Sequence, residues 1–168
     1  IVYWSEGAAN ADVWLMSADG SNANAIVSNV NIQDYYPIYR DAGNILYTRW
    51  ESLSDLHDKI YNYNMGSGTS SRLALNVVGV EDADASPADP TKLVFSSTRS
   101  GGDGSYDIYM GRYDNNTVYN LPGANSIHSD LGPCCSPYTY ARAIDLASPL
   151  SNSNYPAGSS LLLTANLA

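Results

Sequence analysis

Three aspartates recur at a fixed distance from proline, and their carboxylates are the first candidates for chemistry. Asp34, Asp84 and Asp130 each stand three residues before a proline. If these three segments lie at one end of a repeating structure, their carboxylates form a ring suited to Ca²⁺ or to a basic peptide. The structural alternative is that each aspartate caps the free amides of a turn, because proline biases its predecessor towards an extended conformation. No Asp-x-Asp-x-Asp-Gly calcium loop accompanies them.

Five further residues are candidates for contact with a partner. Glu81, Asp82 and His128 lie near the recurring aspartates in sequence, and Tyr35 with Tyr36 follows Asp34 directly. Tyrosines on exposed loops anchor protein partners or stack on sugars. Their structural alternative is to fill the space between packed sheets.

The chain shows no pattern that predicts catalysis or a bound cofactor. It has no Gly-x-Ser-x-Gly elbow for a serine nucleophile and no zinc-type spacing of histidines and cysteines. Its 17 acidic residues do not single out a pair for glycoside hydrolysis. We therefore predict no catalytic residue and no cofactor, with Ca²⁺ at the recurring aspartates as the one alternative.

The two cysteines, Cys134 and Cys135, are adjacent. Within the chain they can form only a strained vicinal disulfide, whose Cα separation falls below the usual range. Reduced packed thiols and intermolecular pairing are the alternatives. The sequence is compatible with all three states of the cysteines.

Composition narrows the class of protein. The 168 residues carry a net charge of −9, with 14 tyrosines and one phenylalanine. Such a charge argues against nucleic-acid binding, because few basic side chains are present to neutralise phosphates. No apolar run is long enough for a transmembrane helix. We expect a mature or truncated product, since the chain opens without Met or a charged-then-apolar leader. Tyr and Val suit strands, and the abundant Asn, Ser and Gly suit the turns between them.

The apolar runs are short and periodic, and the period predicts the architecture. The run that begins at Ile1 recurs at Ile45 and at Leu93, and the run at Val13 recurs at Ile60 and Ile108. Repeats of 40–50 residues, each with about four short strands, are the signature of propeller blades. The sequence therefore predicts an all-β propeller of four-stranded antiparallel blades.

Segments of these repeats resemble the TolB-type, WD-like propeller repeat. Residues 37–48 resemble its Pro-x-Trp-Ser-Pro-Asp-Gly-x-x-Ile-x-Phe pattern. Residues 95–109 match its Ser-x-Arg-x-Gly-Gly-x-Gly-x-x-Asp-Ile-Tyr pattern, and residues 13–20 resemble its Met-Asp-x-Asp-Gly segment. In the resembling repeat, the aspartate before each second apolar run belongs to the blade, which implies a hydrogen-bonding role within the blade for Asp12, Asp58 and Asp107.

When the chain is aligned with that repeat, the pattern predicts a single propeller domain, 1–168, with about three and a half blades. The units are approximately 1–33, 34–83, 84–129 and 130–168. Closed propellers have about 4–8 blades, and an array of repeats buries its faces only against neighbours. We therefore expect either part of a longer propeller or a ring completed by further copies.

Three functions are compatible with these expectations. The resemblance implies a non-catalytic propeller of the bacterial envelope, secreted or periplasmic, that binds a protein partner. The incomplete number of blades suggests instead a structural subunit that assembles with further copies of itself. The third alternative is the propeller portion of a carbohydrate-active or peptidase enzyme, for which carbohydrate is a ligand.

Overall fold

A computed structural model describes residues 1–6, 10–51, 55–102 and 105–135. Every regular element in these residues is a β-strand, and all strand pairs are antiparallel. The predicted fourth unit, 130–168, extends beyond the described residues after position 135. Among the described residues, none belongs to a helix able to cross a membrane.

The eleven strands form three separate sheets, each with its strands paired in chain order. Sheet 1 contains β1 Val2–Glu6, β2 Ala11–Leu15 and β3 Asn24–Val27. Sheet 2 contains β4 Ile32–Asp41, β5 Asn44–Glu51, β6 Asp55–Asn64 and β7 Thr69–Arg72. Sheet 3 contains β8 Asp82–Asp89, β9 Lys92–Ser97, β10 Asp107–Arg112 and β11 Val118–Asn120.

Burial follows the position of each strand in its sheet. In β5 the run from Ile45 to Arg49 is buried without interruption, as expected for a strand covered on both faces. The last strand of sheet 2, β7, is polar and exposed along its whole length. A strand that pairs on one side only is protected from edge-to-edge association by such polar residues.

Two hydrophobic cores lie between neighbouring sheets. Tyr47 of β5 packs with Val13 and Val27 of sheet 1. The adjacent Leu46 points to the opposite face of β5 and packs with Leu93 of sheet 3. Each sheet thus buries its apolar side chains against its neighbours, which is the packing of a repeat array.

The pairing register corrects the predicted equivalence of the recurring aspartates. Asp34 lies opposite Arg49 in sheet 2, and the residue at the same place in sheet 3 is Asp82, opposite Ser97. Asp130 follows Asp82 by the same 48 residues that separate Asp82 from Asp34. Asp84 instead corresponds to Tyr36. The proline spacing misled the alignment because Pro37 and Pro87 occupy different places in their strands.

Candidate functional site

Two cavities meet along the first strands of sheets 2 and 3, and together they form the candidate site. One has a volume of about 500 Å³ and the other about 430 Å³. Both are lined by Tyr36, Asp84 and Leu131. We call the joined cavities the groove, with an apolar end in the first cavity and an acidic end in the second.

A β-bulge in each first strand directs a side chain into the groove. The register of β4 shifts between Tyr35 and Ile38, and that of β8 between Ala83 and Ser86. Within these bulges, Tyr36 has a φ of 51° and Asp84 a φ of 52°. A left-handed backbone is costly for a residue with a side chain, and about 1–3 kcal/mol of such strain is found mainly at functional sites. Gly132, 48 residues after Asp84, has a φ of 64° and no side chain to strain.

A repeated hydrogen bond ties the bulge at Asp84, and the segment at Gly132, to the preceding sheet. The backbone N–H of Asp84 donates to Oγ1 of Thr48 at 3.0 Å. The N–H of Gly132 donates to Oγ of Ser96 at 3.2 Å. Both hydroxyl-bearing residues are fully buried. These bonds hold the groove-lining segments in place against neighbouring sheets.

The apolar end of the groove is built from the strands on either side of the bulges. Pro37, Ile38 and Ala85 line it together with Pro133 and Cys134. Leu131 is 55% exposed at the junction of the two ends. This end therefore offers apolar surface next to the acidic residues.

The acidic end contains carboxylates without a basic side chain in its lining. The hydroxyl of Tyr35 donates to Oδ1 of Asp58, as the hydrogen-bonding role expected for this aspartate requires. Burial raises the pKa of Asp58 to about 6, although the Tyr35 bond favours the ionised form, and the negative charges of Glu81 and Asp84 raise it further. Burial also raises the pKa of Asp84, against a backbone hydrogen bond from Gly132 that favours the ionised form. Oδ1 of Asp84 is buried and accepts no hydrogen bond in the described part of the chain.

Tyrosine and tryptophan rings surround these carboxylates. The ring of Tyr36 lies edge-on to Trp4, with centroids 5.9 Å apart, and edge-on to Tyr35 at 5.1 Å. Tyr106 lines the same cavity. Burial, together with the charges of Glu81 and neighbouring aspartates, raises the pKa of the Tyr106 phenol, so this ring stays neutral at physiological pH.

Two other buried aspartates are neutralised by arginine. Asp34, with no solvent exposure, accepts from Nε of Arg49 at 2.6 Å and from its Nη2 at 3.2 Å. Asp82, equally buried, accepts from Arg99 and from the Ser97 hydroxyl at 2.6 Å. These carboxylates are internal parts of their sheets.

The recurring aspartates therefore lie in unlike environments. Asp34 is buried against Arg49, Asp84 lines the groove, and Asp130 accepts from the backbone and hydroxyl of Ser126 at 2.7 and 3.2 Å. Within 1–6, 10–51, 55–102 and 105–135, no three His, Cys, Asp or Glu side chains are grouped so that they could hold a metal ion.

The residues predicted to contact a partner also lie in unlike environments. Tyr35 and Tyr36 line the acidic end, and Glu81 lies beside it, where its carboxylate accepts the backbone N–H of Asp58. Asp82 is enclosed with Arg99. His128 is exposed on the segment after β11, and its backbone N–H donates to Oγ of Ser126 at 3.1 Å.

The two cysteine thiols are free in this structure. Cys134 is exposed and lines the apolar end of the groove. Burial raises the pKa of the half-buried Cys135. The backbone N–H of Cys135 donates to Oγ of Ser86 at 3.0 Å, which attaches this segment to β8.

Sequence reasoning did not select several groove residues. Trp4, Glu6, Tyr106 and Leu131 are brought to the groove by the packing of three chain segments, and no motif marks them. The constant 48-residue spacing would have revealed that Tyr36, rather than Asp34, is the counterpart of Asp84.

The comparisons with known proteins support the fold. A crystal structure of TolB from Acinetobacter baumannii is 19% identical, with a TM-score of 0.53, and the match covers 71% of this chain and 28% of that one. A putative TolB from Agrobacterium tumefaciens is 21% identical, with a TM-score of 0.60, and the match covers 76% of this chain and 43% of that one. No family model matches the chain, and no curated protein matches it.

The described residues therefore have a TolB-like propeller fold, and the resemblance seen in the sequence is confirmed at the level of the fold. The chain spans less than half the length of either TolB structure.

Proposed function

We propose that this chain is part of a secreted or envelope propeller that acts by binding, and that the groove receives an extended segment of a partner protein. The observation that carries the proposal is the pair of strained bulges. Tyr36 and Asp84 hold equivalent positions, both adopt a left-handed backbone, and both line the two cavities. Gly132, 48 residues after Asp84, adopts the same left-handed backbone as glycine, so we infer that the side chains at the other two positions have a use that offsets their strain.

The shape of the groove supports an extended occupant. Its two cavities are adjacent and share Tyr36, Asp84 and Leu131 in their linings. Tyr36 is 53% exposed, so its ring is available for contact. Exposed tyrosines beside an apolar surface are common anchors of protein interfaces. The TolB-like fold is consistent with this function, because the resemblance implies a propeller that binds protein partners.

The test is selection from a displayed library of short linear peptides with the full 168-residue chain as target. Selected peptides should bind the wild-type chain and lose at least roughly tenfold in affinity against Tyr36→Gly, because the ring is removed while the bulge is relieved. Tyr119→Ser is the matched control, since Tyr119 is 47% exposed on β11, outside the groove. Failure to select any peptide, or equal loss with both variants, would overturn the proposal.

A second candidate, self-assembly, is favoured by sheet 1. In the described residues, β1 pairs with β2 on one side only. An unpaired edge is a template for a strand from another copy. Light scattering distinguishes the two: particles of several chains support self-assembly, whereas a stable monomer of 18.1 kDa rules it out.

A further inference from the structure

The acidic end of the groove combines two features that cations favour, carboxylates and aromatic rings. Its lining includes the acids Glu6, Asp58 and Asp84 and the rings of Trp4, Tyr35 and Tyr106. A cation is attracted to a carboxylate by charge and to an aromatic face by the ring quadrupole. An anionic or purely apolar ligand would gain neither interaction.

The negative charge of this end is not neutralised by the nearest basic residues. Lys59 is buried beside Asp58, but its ammonium group donates to the carbonyl oxygens of Val80 and Asp58 and pairs with Asp55 at 3.3 Å. Arg49 and Arg99 are held by Asp34 and Asp82, respectively. Lys59 lowers the pKa of Asp58, but burial and the charges of Glu81 and Asp84 outweigh it.

One carboxylate oxygen there is left without a partner. Oδ1 of Asp84 is buried and accepts no hydrogen bond among the described residues. A buried polar atom in this state costs about 1–3 kcal/mol, unless a ligand supplies the missing donor. Because the bulge holds Asp84 in a left-handed conformation, its placement is specific to this position and is not a property of a flexible surface acid.

We infer that the acidic end binds the cationic head of a basic side chain, a lysine ammonium or an arginine guanidinium of the partner segment, with Asp84 accepting its N–H and the rings enclosing it. The inference rests on the proposed function, because the basic residue belongs to the segment in the groove. Apolar residues next to that basic residue occupy the apolar end, which Pro37 and Ile38 line.

The direct test uses small probes and the full chain. N-acetyl-arginine amide and N-acetyl-lysine amide are titrated against the chain, and N-acetyl-citrulline amide is the neutral control of the same shape as the arginine probe. NMR with ¹⁹F-labelled tryptophan reports binding at Trp4, once Trp14 and Trp50 are replaced by phenylalanine. We expect at least one cationic probe to bind roughly tenfold more tightly than citrulline amide, and the comparison of the two identifies the preferred head group.

Two carboxylate variants locate the interaction. Asp84→Asn keeps a residue that tolerates the left-handed backbone and should weaken the cationic probe by roughly tenfold. Asp114→Asn removes the same charge from an exposed pair with Arg112 and should leave affinity unchanged. Equal weakening by both variants would show a general effect of net charge and would overturn the inference. Binding of both cationic amides no tighter than that of citrulline amide would also overturn it.

The selected peptides separate this inference from the proposed function. If peptides bind the groove but tolerate replacement of every basic residue by citrulline or norleucine, the groove binds a partner and the cation site is wrong. If no peptide binds while the arginine or lysine amide binds in the Asp84-dependent way, the cation site stands and the proposed partner segment is wrong.

Discussion

Two pairs of buried or half-buried aspartates have opposite electrostatic roles. Asp34 and Asp82 each hold an arginine inside a sheet. Asp58 and Asp84 face the groove, and no basic side chain joins them in its lining. The first pair compensates the charge of a buried cation, whereas the second pair has no such partner in the groove lining. Burial raises the pKa of Asp34 as it does those of Asp58 and Asp84. The acidic composition of this chain is therefore divided between internal ion pairs and a cavity that is left negatively charged.

The largest effect is expected from breaking an internal pair. Asp34→Ala leaves Arg49, whose side chain is 10% exposed, as a buried cation without its counter-ion. We expect a loss of about 3–5 kcal/mol in the free energy of unfolding. Urea denaturation measures it, with Asp114→Ala in the exposed Arg112 pair as a control that should change stability little. A loss below about 1 kcal/mol would contradict the assigned role.

A smaller loss is expected at the bond that positions the groove. Thr48→Val is close in size but removes the hydroxyl that accepts the N–H of Asp84. An unsatisfied buried donor costs about 1–3 kcal/mol. Thr69→Val is the control, since Thr69 is exposed on β7 and its hydroxyl hydrogen-bonds the exposed Ser67 hydroxyl. Unchanged stability of Thr48→Val would show that the bulge does not depend on this bond.

Asp58 should give the chain a pH dependence opposite to that of an ion-paired acid. Its pKa is about 6 in the folded chain, against 3.8 as the reference for an unperturbed aspartate. The folded state thus holds the proton more tightly, so stability present below about pH 4 is lost as the pH rises through about 6. The groups around it are Tyr35, Lys59, Glu81 and Asp84. After allowance for solvent screening, we expect a loss of about 1–2 kcal/mol.

The comparison between wild type and Asp58→Asn isolates the contribution of Asp58 to the pH dependence of stability. Denaturation of both proteins at a series of pH values removes the contributions of all other titrating groups. The difference in the free energy of unfolding between the two proteins should change between about pH 4 and 6 and stay constant above about pH 6. A difference that is constant with pH would show that Asp58 is ionised with an ordinary pKa.

The smallest effect has the opposite sign. Asp84→Gly removes the left-handed strain and the unpartnered Oδ1 together, so we expect the chain to gain about 1 kcal/mol in stability. The same variant should lose affinity for groove-bound peptides. Gain of stability with loss of binding distinguishes a functional residue from a structural one. Asp130→Gly, outside the groove lining, serves as the control for a glycine introduced nearby.

Much of the fold could be predicted because it depends on local pattern. The recurrence of Ile1, Ile45 and Leu93 marks β1, β5 and β9, and the structure places all three strands in antiparallel sheets. The candidate site was predicted less completely. Tyr35 and Tyr36 were selected from their position in the repeat, whereas Trp4 and Tyr106 meet them only because sheets 1, 2 and 3 pack together.

The sequence by itself determined the repeat, the strand character and the acidic charge, because strand periodicity, turn residues and composition act over a few neighbouring positions. Only the tertiary structure decided which acids are neutralised. Asp82 and Asp84 are two residues apart and lie on the same strand, yet one is enclosed with Arg99 and the other lines the groove. A β-bulge between them changes the direction of the side chains, and the partners that give each carboxylate its role come from segments distant in the chain.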